Sequence, residues 1–150
     1  MGKKKVATQT TEEALKEKAT LDEAVAKTAG KTVASRFERG RVYIHASYNN
    51  TIVSITDEGG NLVAWSSAGS LGFAGPKKAT PFAAAKVVAA LAEKIQKSGP
   101  FTVSVCMSGI GGGRDSALRS LANRGFTVTG IRDVTPIPHN GPRPKKVRRV

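Results

Sequence analysis

Between residues 41 and 95 the sequence changes its hydrophobic period, and that change limits the fold more than any other feature. Residues 41–47 alternate, with Val42, Ile44 and Ala46 on one side and Tyr43 and His45 on the other, the two-residue repeat of a half-buried strand. Residues 51–56 are rich in β-branched side chains, Glu58-Gly59-Gly60-Asn61 is a turn signal, and 62–67 resume as a strand. Together they predict a three-stranded meander. From Thr80-Pro81 the repeat becomes helical: Ala84, Val87, Val88, Leu91 and Ile95 share one face, with Lys86, Glu93 and Lys97 opposite. Thr as N-cap and Pro at the first helical position start this helix, and Ser98-Gly99-Pro100 ends it.

The remaining elements follow by the same reasoning. Residues 101–107 are an apolar run of strand length, 109–113 a glycine-rich turn, about 115–124 a second helix stopped by Gly125, and 126–134 a last strand. The order β-β-β-α-β-α-β predicts an α/β fold with a mixed five-stranded sheet and helices packed on it. Ribonuclease H-like folds have the same order, an analogy of fold alone. Upstream, Thr10 and Glu13 suit a capping box for a helix over roughly 11–28. Its apolar positions Leu15, Leu21 and Val25 make no continuous stripe, so residues 1–39 read as a flexible extension. Residues 40–138 read as the folded domain and 139–150 as a basic, Pro-rich tail.

Charge narrows the partner. The 150 residues carry 24 Lys and Arg against 11 Asp and Glu, a net charge of +13, which predicts a polyanionic partner. The last twelve residues include Arg143, Lys145, Lys146, Arg148 and Arg149 and no acid. A membrane surface fits poorly, because this tail lacks the apolar face that gives stable anchoring. No run approaches the ~20 apolar residues of a span, and Lys3, Lys4 and Lys5 have no apolar stretch behind them as a secretory signal would. Cys106 is the only cysteine, which fits a reducing, cytoplasmic setting.

Three enzymatic readings fail on residue types. A two-metal nuclease, suggested by the ribonuclease H-like order, needs several converging carboxylates. The first strand has none, the first helix only Glu93, and Asp57 and Asp133 adjoin turns or strand ends where acids are ordinarily solvated. Dinucleotide binding needs G-x-G-x-x-G, but Gly109-Ile110-Gly111-Gly112-Gly113 is followed by Arg114. One cysteine and two histidines, His45 and His139, make no zinc spacing, and Cys106, in an apolar strand with Val103 and Val105, reads as buried. No metal or cofactor is expected.

The features that remain suit RNA. Gly111, Gly112 and Gly113 at a helix N-terminus would let a phosphate approach the backbone, with Arg114 beside it and Arg119 and Arg124 further along the helix. Residues 69–80 read as a mobile loop in which an exposed Phe73 precedes Lys77 and Lys78, a combination suited to stacking and backbone contact. Pro136, Pro138, Pro142 and Pro144 hold the tail extended, so that its cations would dock along a groove.

The segments GRVYIHASYNNTIVSITDEGGNLVAWSSAG (40–69), KKATPFAAAK (77–86), GGGRDSALRSLANRGF (111–126) and DVTPIPHNGPRPKKVRRV (133–150) resemble a bacterial-type family, that of the eleventh protein of the small ribosomal subunit. The resemblance implies the same α/β fold and a structural, non-enzymatic role in the ribosome. It places family members on the subunit platform, against 16S ribosomal RNA and near the messenger exit path. The sixth, seventh and eighteenth proteins of the small-subunit series are implied as neighbours. By position it implies RNA contact by Asn49, Asn50, Lys77, Lys78 and Arg114, and by the tail through His139, Asn140, Arg143, Lys145, Lys146, Arg148 and Arg149. The family usually has G-P-G-P-G-R-E where this chain has residues 109–115, which predicts a less rigid turn. Gly141 offers no Cβ to hinder backbone attack on Asn140, and the resemblance implies isoaspartate there in some relatives. A different RNA chaperone or regulatory binder using the same surface stays open as the runner-up, with the nuclease third.

Overall fold

The computed structural model describes residues 19, 20, 23, 38–96 and 102–146. Within 38–146 the chain forms β1 (Arg39–Ala46), β2 (Thr51–Asp57), β3 (Leu62–Ser67), α1 (Pro81–Ile95), β4 (Thr102–Ser108), α2 (Gly113–Asn123) and β5 (Thr127–Asp133). This is the predicted order, with bounds moved by one or two residues. Ala19, Thr20 and Glu23 are helical and exposed. The rest of the helix expected over 11–28, and the stop at 98–100, lie outside the described residues.

The sheet has five strands in the order β3-β2-β1-β4-β5. β1 pairs antiparallel with β2 and β2 with β3, while β1 with β4 and β4 with β5 are parallel. The mixed sheet follows from the connections. Tight turns join the first three strands, and helical crossovers join the parallel ones. Glu58-Gly59-Gly60-Asn61 does close β2 on β3, with Gly60 at φ +89° and Asn61 donating from its backbone N–H to Asp57 Oδ1 (2.8 Å) and from Nδ2 to Oδ2 (2.9 Å).

Both helices pack on one face of the sheet. Val42, Ile44, Val53, Ile55, Val103, Val105 and Met107 point into a core completed by Ala84, Val87, Val88, Leu91 and Ile95 of α1 and Ala117 and Leu121 of α2. A fully buried Leu such as Leu91 or Leu121 contributes about 1.5–3 kcal/mol relative to exposure. α1 starts as predicted: Thr80 Oγ1 accepts from the Ala83 N–H (3.2 Å), Pro81 follows, and the same hydroxyl donates to the Lys77 carbonyl (2.8 Å). No described helix is long and apolar enough to cross a membrane.

Two expectations are corrected here. Cys106 is only half-buried, because its parity is opposite to that of Val103 and Val105, and it faces away from the helices. The second helix begins at Gly113, since Gly112 already has helical angles (φ −64°, ψ −11°).

The glycines of residues 109–113 are explained chiefly by packing. The Gly111 N–H donates to the Ala46 carbonyl (2.9 Å). A Cβ at Gly109 would collide with the Ala46 carbonyl, one at Gly111 with that of Ser47, and one at Gly113 with the Thr51 side chain. The turn is thus pinned to the end of β1 although it contains no proline. We expect Gly111→Ala to lower the unfolding free energy by at least about 2 kcal/mol. Gly112→Ala, whose Cβ would meet nothing closer than the Ala79 carbonyl oxygen at 3.9 Å, should stay within about 1 kcal/mol of the parent. Urea denaturation of both variants checks this.

Candidate nucleic-acid interface

One edge of the sheet gathers most of the segments singled out above. The register sets Ala46 beside Thr51, His45 beside Ser108 and Met107 beside Asp133, so β1, β4 and β5 end where β2 begins. Both helix N-termini lie at the same edge: Ser116 Oγ in the first turn of α2 donates to the Pro81 carbonyl at the start of α1 (2.7 Å). The carboxyl ends of parallel strands and the amino ends of the following helices are where open α/β sheets bind ligands.

The hairpin between β1 and β2 presents Tyr48, 74% exposed, and the exposed Asn49. Asn50 is turned inward to hold that hairpin. Its N–H donates to Ser47 Oγ (3.0 Å), its carbonyl accepts from the Ser47 N–H (2.9 Å), and its Oδ1 accepts from the Thr51 N–H (3.0 Å). Asn49 is therefore the freer of the two to meet a partner. Residues 69–80 form two short 3-10 turns, Gly69–Leu71 and Gly75–Ala79, with Lys77 exposed and Lys78 half-buried.

The exposed aromatic beside this loop is not the expected one. Phe73 is 9% exposed and belongs to the core, while Phe82 in the first turn of α1 is 59% exposed. The two rings meet edge-on at 6.1 Å, and Lys86 Nζ lies 5.9 Å from the Phe82 ring centre, a cation–π distance. Phe82 had a signal in the sequence, since it stands off the Ala84–Val87–Val88–Leu91–Ile95 stripe. Tyr48 had none beyond its place in a turn.

Arg114 does not simply project beside the glycines. Its Nη2 pairs with Asp133 Oδ2 (2.6 Å) and its Nη1 donates to the Gly109 carbonyl (3.0 Å). Asp133 Oδ1 accepts from Thr135 Oγ1 (2.6 Å) and the Thr135 N–H (2.9 Å), and Thr135 Oγ1 accepts from the Gly109 N–H (3.2 Å). This closed ring clasps the β4 turn, the start of α2 and the root of the tail, which the Val134 N–H also ties to the Met107 carbonyl (2.8 Å). Asp133, expected to be a solvated strand-end acid, is a partner in the ring. The Thr135 hydroxyl first, and then Arg114, hold its carboxyl well below the usual carboxylate range.

Arg119 and Arg124 are exposed on α2. Arg124 caps the far end of that 11-residue helix, about 16 Å from the gathering edge, where a cation complements the helix dipole. From Val134 the chain runs without helix or strand through Lys146, exposed except at the half-buried Thr135 and Gly141. His139 and Asn140 make a turn, Asn140 with a left-handed φ of +56°, and Arg143 Nη2 donates to Asn140 Oδ1 (2.9 Å). Lys145 and Lys146 are exposed, and Arg148 and Arg149 lie outside the described residues.

The two strand-end acids are far apart. Asp57 pairs with Gly40 at the start of β1, whereas Asp133 pairs with Met107 near the end of β4. They cannot share a pair of cations ~3.5–4 Å apart. No group of three or more His, Cys, Asp or Glu side chains among the described residues is placed to hold a metal ion.

A family model for ribosomal protein S11 matches residues 40–149. The chain belongs to the ribosomal protein S11 family. This is a structural family, and membership makes the chain a component of the small ribosomal subunit that binds ribosomal RNA. The matched span covers α1, α2 and all five strands except Arg39 at the start of β1, with the clasped turn and the tail to Arg149.

The clasp in this S11 protein predicts that part of the fold's stability is lost in acid. Because the folded pKa of Asp133 is depressed, its stabilisation is fully present above the ordinary carboxylate value of 3.8. It is lost as pH falls through the depressed folded value. Urea midpoints measured from about pH 5 to 2 should fall less steeply in Asp133→Asn than in the parent.

Proposed function

We propose that this chain holds platform RNA of the small subunit in shape, near the messenger exit path of the cytoplasmic ribosome, through the strand-end edge and the tail rooted in it. The observation that carries this reading is the convergence of the 47–50 hairpin, the Lys77–Lys78 turn, the start of α2 and the root of a tail devoid of acids on one edge. Asn49 and Lys77 are exposed there, Lys78 is half-buried, and Gly112 leaves the start of α2 open to a phosphate. Arg114 then acts chiefly by fixing the turn, and Asn50 by fixing the hairpin. Arg119, Arg124 and the tail residues His139, Asn140, Arg143, Lys145, Lys146, Arg148 and Arg149 extend the contact along 16S RNA. Residues 40–138 serve as the folded unit, 1–39 as an extension and 139–150 as the arm. The sixth, seventh and eighteenth small-subunit proteins are the neighbours to test by cross-linking.

The test is affinity for a platform RNA fragment against a scrambled RNA of equal length over a salt series. Preference that survives rising salt supports the reading, and equal binding that collapses for both defeats it. Deleting 139–150 removes five cations, and each lost phosphate contact should flatten the log–log salt slope by about 0.7–0.9. Full docking of the arm would therefore change the slope by about 3.5–4.5, and an unchanged slope would mean the arm is solvated.

A covalent change is proposed at the Asn140 turn. The Gly141 nitrogen attacks the Asn140 side-chain carbonyl carbon, ammonia leaves, and water opens the resulting succinimide to isoaspartate. The Arg143 hydrogen bond to Oδ1 polarises that carbonyl, so Arg143→Gln should slow the conversion. Peptide mapping of aged protein that recovers only intact Asn140 would defeat it.

A further inference from the structure

Because both helices pack on the side of Val42 and Ile44, the opposite face of the sheet carries no described element. The register lines up its side chains in rows. Trp65 of β3, Ser54 of β2, Tyr43 of β1, Cys106 of β4 and Arg132 of β5 form one continuous cross-strand row. On either side run Ser67, Ile52, His45 and Ser108, and Thr56, Arg41, Ser104 and Gly130. Trp65 is 52% exposed and Tyr43 36%, and the exposed Leu62 pairs with Thr56 on the same face.

Charge on this face has one sign. Arg39, Arg41 and Arg132 are exposed upon it, and none is ion-paired with a described residue. None of its strand positions is an Asp or Glu. Strands about 4.8 Å apart place Tyr43 roughly 10 Å from Trp65 on one side and from Arg132 on the other. Aromatics for base stacking and guanidinium groups for phosphates therefore share one face, with Trp65 and Tyr43 toward β3 and Arg132 on β5, a combination that suits unpaired nucleotides.

We propose that this helix-free face is a second RNA-binding surface, distinct from the strand-end edge. It takes single-stranded nucleotides by stacking bases on Tyr43 and Trp65 and holding phosphates on Arg41 and Arg132. The choice of RNA over a protein rests on that uniform charge and on the rRNA-binding reading above. The edge would grip folded RNA through its backbone, while this face would hold an unpaired strand.

The full chain is tested against a single-stranded RNA oligonucleotide, the same sequence as a duplex, and the platform fragment. We expect preference for the single strand, with Trp65→Ala and Tyr43→Ala each weakening it about five- to a hundredfold. Trp65→Phe and Tyr43→Phe, which keep a ring, should retain most of the affinity and control for misfolding. Cys106, the only thiol, lies between Tyr43 and Arg132 and serves as a footprint: bound oligonucleotide should slow its alkylation. Unchanged affinity in both Ala variants together with unprotected Cys106 would overturn the proposal, while persisting platform binding would leave the edge reading intact. Lost platform preference with an oligonucleotide effect still present would defeat the edge reading alone. Protection of Cys106 by assembled subunits but not by RNA would assign the face to a protein neighbour. Protection relieved by deleting residues 1–37 would assign it to this chain's own N-terminal segment. Either result also overturns the proposal.

Discussion

The parallel pairing of β1 with β4 depends on a turn that can lie flat against the end of β1. Gly109 and Gly111 sit where any Cβ would strike the Ala46 and Ser47 carbonyls, and the Gly111 N–H closes on the Ala46 carbonyl. That contact fixes where α2 begins, and with it the side of the sheet on which α2 completes the core. It also fixes the carbonyl of Gly109 that Arg114 grips and the N–H that Thr135 accepts. Removing the close approach would loosen the sheet, the second helix and the root of the tail together.

The same arrangement changes what the cations near the turn do. A guanidinium beside a glycine-rich helix start looks like a phosphate ligand. In this chain Arg114 spends its Nη groups on Asp133 and Gly109 and so acts as a positioning group. On the proposed reading, phosphate contact is left to the backbone at Gly112, to the lysine turn and to the arm. Division of labour of this kind is economical in a basic protein, because an internal carboxylate partner keeps one Arg oriented while the unpaired ones stay available. Asn50 makes a parallel case in the β1–β2 hairpin, where its polar groups hold the turn beside the exposed Tyr48 and Asn49.

Much of the fold was legible because local chemistry decides it. The alternation of Val42, Ile44 and Ala46, the Gly59-Gly60 turn and the Thr80-Pro81 helix start each act within a few residues, and each element formed where they placed it. The family resemblance was likewise legible, carried by blocks such as IHASYNNTIVSITD and DVTPIPHNG. Side-chain roles were less so. Phe73 read as exposed and Phe82 received no role, yet burial of one ring and exposure of the other depend on how the 69–80 turns fold back over the core. Cys106 read as buried because its strand is apolar in composition, and only its parity reveals that it faces the other way.

By itself the sequence determined the order of elements, the positive charge and its acid-free tail, because composition and periodicity act along the chain. Tertiary structure decided which of those charges are free. The pairing of Arg114 with Asp133 joins residues 19 apart, across a helix and a strand, and no local pattern encodes it. It also decided that both helices share one face of the sheet, leaving Tyr43, Trp65 and three arginines on the other. The physical reason is that a strand offers two faces of equal standing, and only the packing of distant helices selects which one is covered.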